Sequence, residues 1–114
     1  MTGKGEQDRQ DAILLLISNA PDEDQAERIA LALVNEGLAA CVNILARCRS
    51  VYRWNNAIEH ADEVPMLIKT RVSKYGALQT RFCELHPYAV PELIALPIAQ
   101  ALPEYASWVL AQTR

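Results

Sequence analysis

Residues 38–70 read LAACVNILARCRSVYRWNNAIEHADEVPMLIKT, and the fold turns on how they are read. Leu38 to Trp54 is expected to be one long extended segment. Asn55 and Asn56 tolerate positive φ better than most residues, which predicts a hairpin turn there. The return strand is expected to include Ile58 and then Val64–Thr70. Pro65 and the acidic stretch Glu59–Glu63 suggest a bulge or break between those two pieces. An outgoing strand of about sixteen residues far exceeds the usual five or six and would project beyond any helix packed on it. Its edge would leave backbone groups unpaired, so assembly with further copies through the hairpin is the expected remedy.

The segments on either side complete the pattern. Upstream, Ala12–Ala20 reads AILLLISNA, an aliphatic run expected to form a strand covered on both faces. Pro21 and Asp22 open a helix, with Asp22 as cap and Gln25 three residues on. Ala26, Ile29, Ala30, Leu33 and Val34 fall on one helical face, and Gly37 stands where a left-handed terminal residue is expected. Downstream, Ser73 is the expected cap of a second helix with the stripe Tyr75, Leu78, Phe82 and Leu85. His86-Pro87 stops it, because the residue before proline is pushed out of helical space. Leu93–Ile98 forms a last edge strand, and Pro103 starts a short terminal helix. The order β-α-β-β-α-β plus a final helix is the ferredoxin-like α+β pattern, with the first and third strands central.

Composition bounds the rest. The 114 residues fit one domain, expected over 12–114, and the polar residues 1–11 are expected to be a flexible tail. Hydrophobic residues make up 51% and charged ones 22%, so the chain can bury a core and is not a disordered one. A net charge of −3 argues against nucleic-acid binding through bulk charge. RNA recognition on such sheets stacks bases on aromatic residues of the central strands, and AILLLI and VPMLI have none. Four glycines, at positions 3, 5, 37 and 76, leave no glycine-rich phosphate loop. Cys41, Cys48 and Cys83 form neither a CxxC nor an even set, which suggests a reduced cytoplasmic setting. Nothing resembles a signal peptide or a membrane span, and the longest aliphatic run is Ile13–Ile17.

Six short motifs recur in an order that resembles the CutA family of divalent-cation tolerance proteins. They are Ala20-Pro-Asp-Glu23, Leu38-Ala-Ala-Cys41, Tyr52-Arg-Trp54, Ile68-Lys-Thr70, His86-Pro-Tyr88 with Pro91-Glu92, and Leu96-Pro-Ile98. The resemblance runs from Ala12 to about Gln112. It implies a ferredoxin-like fold, a homotrimer built on long hairpins, a cytoplasmic protein, and an association with copper or another divalent cation. It also implies kinship with PII-type signal proteins, which bind small effectors between subunits. Asn56 replaces a common hairpin glycine, and Ala46-Arg47 replaces a common Pro-Gly pair. Some relatives hold copper through a cysteine ending the first strand and a His-His pair before the Pro-Tyr. Those positions are Ser18 and Leu85-His86 here, so one donor of three remains.

His86 is accordingly the candidate metal ligand, since imidazole suits copper and zinc; its plainer reading is a helix cap. Tyr52, Trp54, Lys69, Tyr88 and Glu92 are the candidate ligand pocket, expected between subunits of the trimer where the hairpin tip of one copy reaches the His-Pro-Tyr loop of another. Lys69 and Glu92 would read an anionic or zwitterionic ligand between the walls of Trp54 and Tyr88. Cys41 reads as a small buried hydrophobe, and Glu59, His60, Asp62 and Glu63 as a solvated loop. Arg47, Arg49 and Arg53 share one strand face that could bind an anion, with inter-subunit salt bridges as the plainer reading. No nucleophile–base–acid constellation is visible, so no catalytic activity is expected. Two functions remain: a trimeric metal-responsive protein that weakly binds copper or another divalent ion near His86, or a PII-like sensor or scaffold that binds a small molecule in the inter-subunit cleft.

Overall fold

In the computed structural model, which describes residues 12–114, the first strand β1 spans Ile13–Ala20 and the first helix α1 spans Glu23–Asn35. The tail expected over residues 1–11 lies outside the described residues. Asp22 caps α1, its Oδ1 accepting the Gln25 N–H at 2.8 Å, and Gly37 takes φ +73° after the last turn. Gln25's own side chain turns instead to Arg28, 2.7 Å from its Nη2.

The outgoing arm of the hairpin is two strands, β2 (Cys41–Ile44) and β3 (Cys48–Trp54). The return arm is one strand of 15 residues, β4 (Ala57–Arg71). The interruption expected in the return arm therefore lies in the outgoing one. Ile44 pairs with Met66 and Cys48 with Glu63, so three residues, 45–47, oppose two, Val64 and Pro65. This is a bulge, and it explains how Pro65 survives in a central strand. The Pro65 carbonyl accepts the Leu45 N–H at 2.9 Å. A residue's N–H and C=O point the same way from a strand, so the missing proline donor faces the bulge, where the ladder is already broken. At the tip, Asn55 and Asn56 adopt φ 50° and 65°, the left-handed pair of a two-residue hairpin turn.

A 3₁₀ turn at Val72–Lys74 leads into α2, Tyr75–Leu85. Ser73 lies within that already coiled turn, and no side chain caps the helix. His86 is extended, at φ −78° and ψ 137°, as its proline neighbour demands. A short β5 (Ile94–Pro97) and α3 (Pro103–Gln112) finish the chain.

The sheet runs β2-β4-β1-β5, all antiparallel, with β3 extending the β4 ladder outward. β1 and β4 are thus central, as in a ferredoxin-like α+β fold. Leu14, Leu16, Ser18 and Ala20 pair with Thr70, Ile68, Met66 and Val64 on one face. That face joins Ile29 and Leu33 of α1 and Leu78 and Phe82 of α2 in the main core. Close to these residues, buried hydroxyls find backbone partners: Thr70 Oγ1 donates to the Leu38 carbonyl at 2.7 Å.

The other face of β1 is not covered along its length. α3 closes only one end, where Val109 packs with Ile13 and Ala40. Leu15, Ile17 and Leu67 stay half-buried, and Ile94 and Leu96 beside them are exposed. The hairpin carries further exposed apolar residues, Val51 and Ile58 among them. It also stretches the molecule: the extents are 53 × 28 × 25 Å. The radius of gyration, 15.4 Å, exceeds the roughly 13 Å expected for a rounded chain of this length.

Candidate functional site

β1 ends at the base of the hairpin, and the segment after α2 crosses the same place. Ser18 and Asn19 bind it down. Ser18 Oγ donates to the Glu92 carbonyl at 2.6 Å, and Asn19 Nδ2 donates to Glu92 Oε1 at 3.1 Å. The Asn19 carbonyl in turn lies 2.7 Å from His86 Nε2, and His86 Nδ1 accepts the Tyr88 N–H at 3.1 Å. An Nδ1 that accepts leaves the proton on Nε2, where it is donated to Asn19. Both imidazole nitrogens are therefore engaged with backbone. The ring is buried between Phe82 and Tyr88, with centroids 5.1 and 4.7 Å away. His86 thus stitches the end of α2 to the end of β1.

Between this segment and the hairpin lies a cleft of about 670 Å³. Tyr52 and Trp54 of β3 and Tyr88 line it, with Asn19, Ser50, Glu63 and Glu92 adding polar groups. Its size falls in the range of small-molecule sites. Tyr88 Oη donates to Glu63 Oε2 at 3.0 Å across the gap, tying the loop to β4. The Tyr88 phenol is pushed up to about 12, first by burial and then by its bond to the Glu63 carboxylate.

The pocket was expected between two subunits, whereas four of its five residues, Tyr52, Trp54, Tyr88 and Glu92, already line one cleft within a single chain. Lys69 stands apart. It is six residues beyond Glu63 on β4, or roughly 20 Å at 3.3 Å per residue. Its Nζ donates to Asn43 Oδ1 and lies 3.9 Å from Cys41 Sγ. Cys41 is half-buried rather than buried, as is Cys48, and Cys83 is exposed; all three are free.

Glu63 was expected in a solvated loop and is instead a buried wall of the cleft. The signal was in the turn. A two-residue turn at 55–56 pairs Trp54 with Ala57, Tyr52 with Glu59 and Cys48 with Glu63, which sets Glu63 on the same side as the two aromatic residues. Asn19 had no comparable signal, because its role depends on a loop seventy residues away in sequence.

The donors do not fit a tight transition-metal site as they stand. Among the described residues, no three His, Cys, Asp or Glu side chains gather so as to hold an ion. At the family position, Ser18 is buried against the Glu92 carbonyl, and His86 has no free ring nitrogen.

Comparison with known proteins gives a consistent answer. The family model for the CutA1 divalent ion tolerance protein matches residues 14–112. The divalent-cation tolerance protein CutA of Thermus thermophilus is 42% identical over 99 residues, covering 87% of this chain and 96% of that one. The crystal structure of CutA from Xylella fastidiosa superposes with a TM-score of 0.88 at 43% identity, covering 90% of this chain and 99% of its own. A structure from Archaeoglobus fulgidus, described as a periplasmic divalent cation tolerance protein CutA, has a TM-score of 0.87 at 34% identity, with 90% and 99% covered. The family description names divalent ions and no enzymatic activity. With the family model matched over residues 14–112 and relatives more than 40% identical over most of the chain, this protein belongs to the CutA1 divalent ion tolerance family.

Proposed function

We propose that the chain works as a non-enzymatic homotrimer in the cytoplasm and senses or scaffolds a small molecule held in the cleft beside the hairpin. One observation carries this reading: three aromatic rings and two carboxylates from distant parts of the chain converge on one cleft of about 670 Å³. Its floor is braced by hydrogen bonds from Ser18, Asn19 and His86. Preformed concave sites of this kind are where small ligands bind. The half-exposed sheet face and the apolar hairpin support assembly, since such surfaces are usually covered. In the described residues no helix is long and apolar enough to cross a membrane.

The test is mass spectrometry of small molecules carried through gentle purification, with Trp54→Ala alongside. A compound enriched on the wild type and lost from the variant supports the reading. Equal, empty profiles for both proteins across a metabolite panel contradict it.

A second reading is favoured by the family description, which names divalent ions. In it, copper or another divalent cation binds weakly at His86. An ion there must displace either the Asn19 carbonyl or the Tyr88 N–H, which fits weak rather than tight binding. Calorimetric titration with Cu²⁺ and Zn²⁺ compares the wild type with His86→Ala, and circular dichroism checks that the variant folds. Identical heats for two folded proteins exclude His86.

A further inference from the structure

We propose that the cleft selects a small organic cation, an ammonium group carried on an apolar body. This rests on the reading of the cleft as a ligand site and names its ligand class. The charge of the lining is one-sided. Both charged side chains that line the cleft are carboxylates, Glu63 and Glu92, and no lysine, arginine or histidine is among the described lining residues. The lysine expected to attract an anion is far along β4 and bonded to Asn43. Each carboxylate has a neutral partner, Tyr88 Oη for Glu63 and Asn19 Nδ2 for Glu92, and among the described residues of this chain neither forms an ion pair.

The walls agree with the charge. Tyr52, Trp54 and Tyr88 present aromatic rings, whose faces are electron-rich and attract cations while repelling anions. Tyr88 holds its proton to about 12, first through burial, then through its hydrogen bond to Glu63, and only after these through that carboxylate's charge. An ammonium group donates hydrogen bonds to a carboxylate and leaves its carbon skeleton against the rings. A metal ion would gain little from three aromatic walls.

Benzylammonium, its neutral isostere benzyl alcohol, and benzoate separate the possibilities when titrated into the full chain and followed through the Trp54 indole resonance. The expected result is that benzylammonium binds at least about tenfold tighter than benzyl alcohol, with benzoate weakest. Glu92→Gln and Glu63→Gln should each reduce that preference while leaving the alcohol's affinity unchanged. Both glutamines keep an oxygen for Asn19 or Tyr88, so the cleft stays braced. Equal affinity for ammonium and alcohol would overturn the charge assignment and leave the cleft as a ligand site. Tighter binding of benzoate would overturn it too, and would point to a cation donated by a neighbouring copy. No response to any of the three overturns both the charge assignment and the ligand-site reading.

Discussion

Strand β4 passes through two environments without a break. From Val64 to Thr70 every second side chain is fully buried beneath the helices. From Ala57 to His60 every side chain is exposed, and so is the whole of β3 from Val51 onward. The strand geometry is the same in both halves, so pairing alone does not determine burial. The first half belongs to the core of its own chain. The second half offers aromatic and aliphatic residues to something outside that core, and the cleft forms where the two meet.

Changes in the body should be costly, and changes in the hairpin should leave the fold intact. Phe82→Ala empties a fully buried site under the sheet and should destabilise the protein by roughly 3–5 kcal/mol in denaturant unfolding. A loss below about 1 kcal/mol would show that the core is less tightly packed than the geometry implies. Ser18→Ala strands the Glu92 carbonyl at the seam and should cost about 1–3 kcal/mol. It should also loosen the 86–92 segment, seen as faster amide exchange there.

Tyr88→Phe removes the tie across the cleft, and about 1 kcal/mol or less is expected at this partly exposed position. Its pH signature is more telling. Because the folded state raises the Tyr88 pKa from about 10 to about 12, the folded protein keeps a proton that the unfolded chain releases. The stability this group contributes is complete below pH ~10 and is lost as pH rises from there toward ~12. Denaturant midpoints measured across that range should fall in the wild type and fall less in the variant. The smallest effect belongs to the hairpin. Arg49 and Asp62 face each other across the strands at 4.0 Å, but their side chains are 77% and 58% exposed. Arg49→Ala should change stability by under about 0.5 kcal/mol.

The same contrast explains what could be read from the chain alone. Local signals were legible: the Asp22 cap, the left-handed Gly37, the Asn55-Asn56 turn and the Pro87 stop each depend on residues within one turn. The bulge at 45–47 was assigned to the wrong arm, because proline in β4 marks the ladder it breaks and not the strand that absorbs the extra residue. Ser73 looked like a cap, and the preceding 3₁₀ turn displaced it. Four pocket residues were visible from their motifs. Glu63 and Asn19 were not, since hairpin register and a long-range loop contact put them there.

The proposed homotrimer would cover the exposed half of β4 and the open sheet face with further copies of this chain. Sedimentation equilibrium at micromolar concentration tests it most directly. The account predicts a particle of three times the 12.7 kDa chain mass, reduced to smaller species when Val51 and Ile58 are both changed to aspartate. A folded 12.7 kDa monomer in the wild type would contradict it.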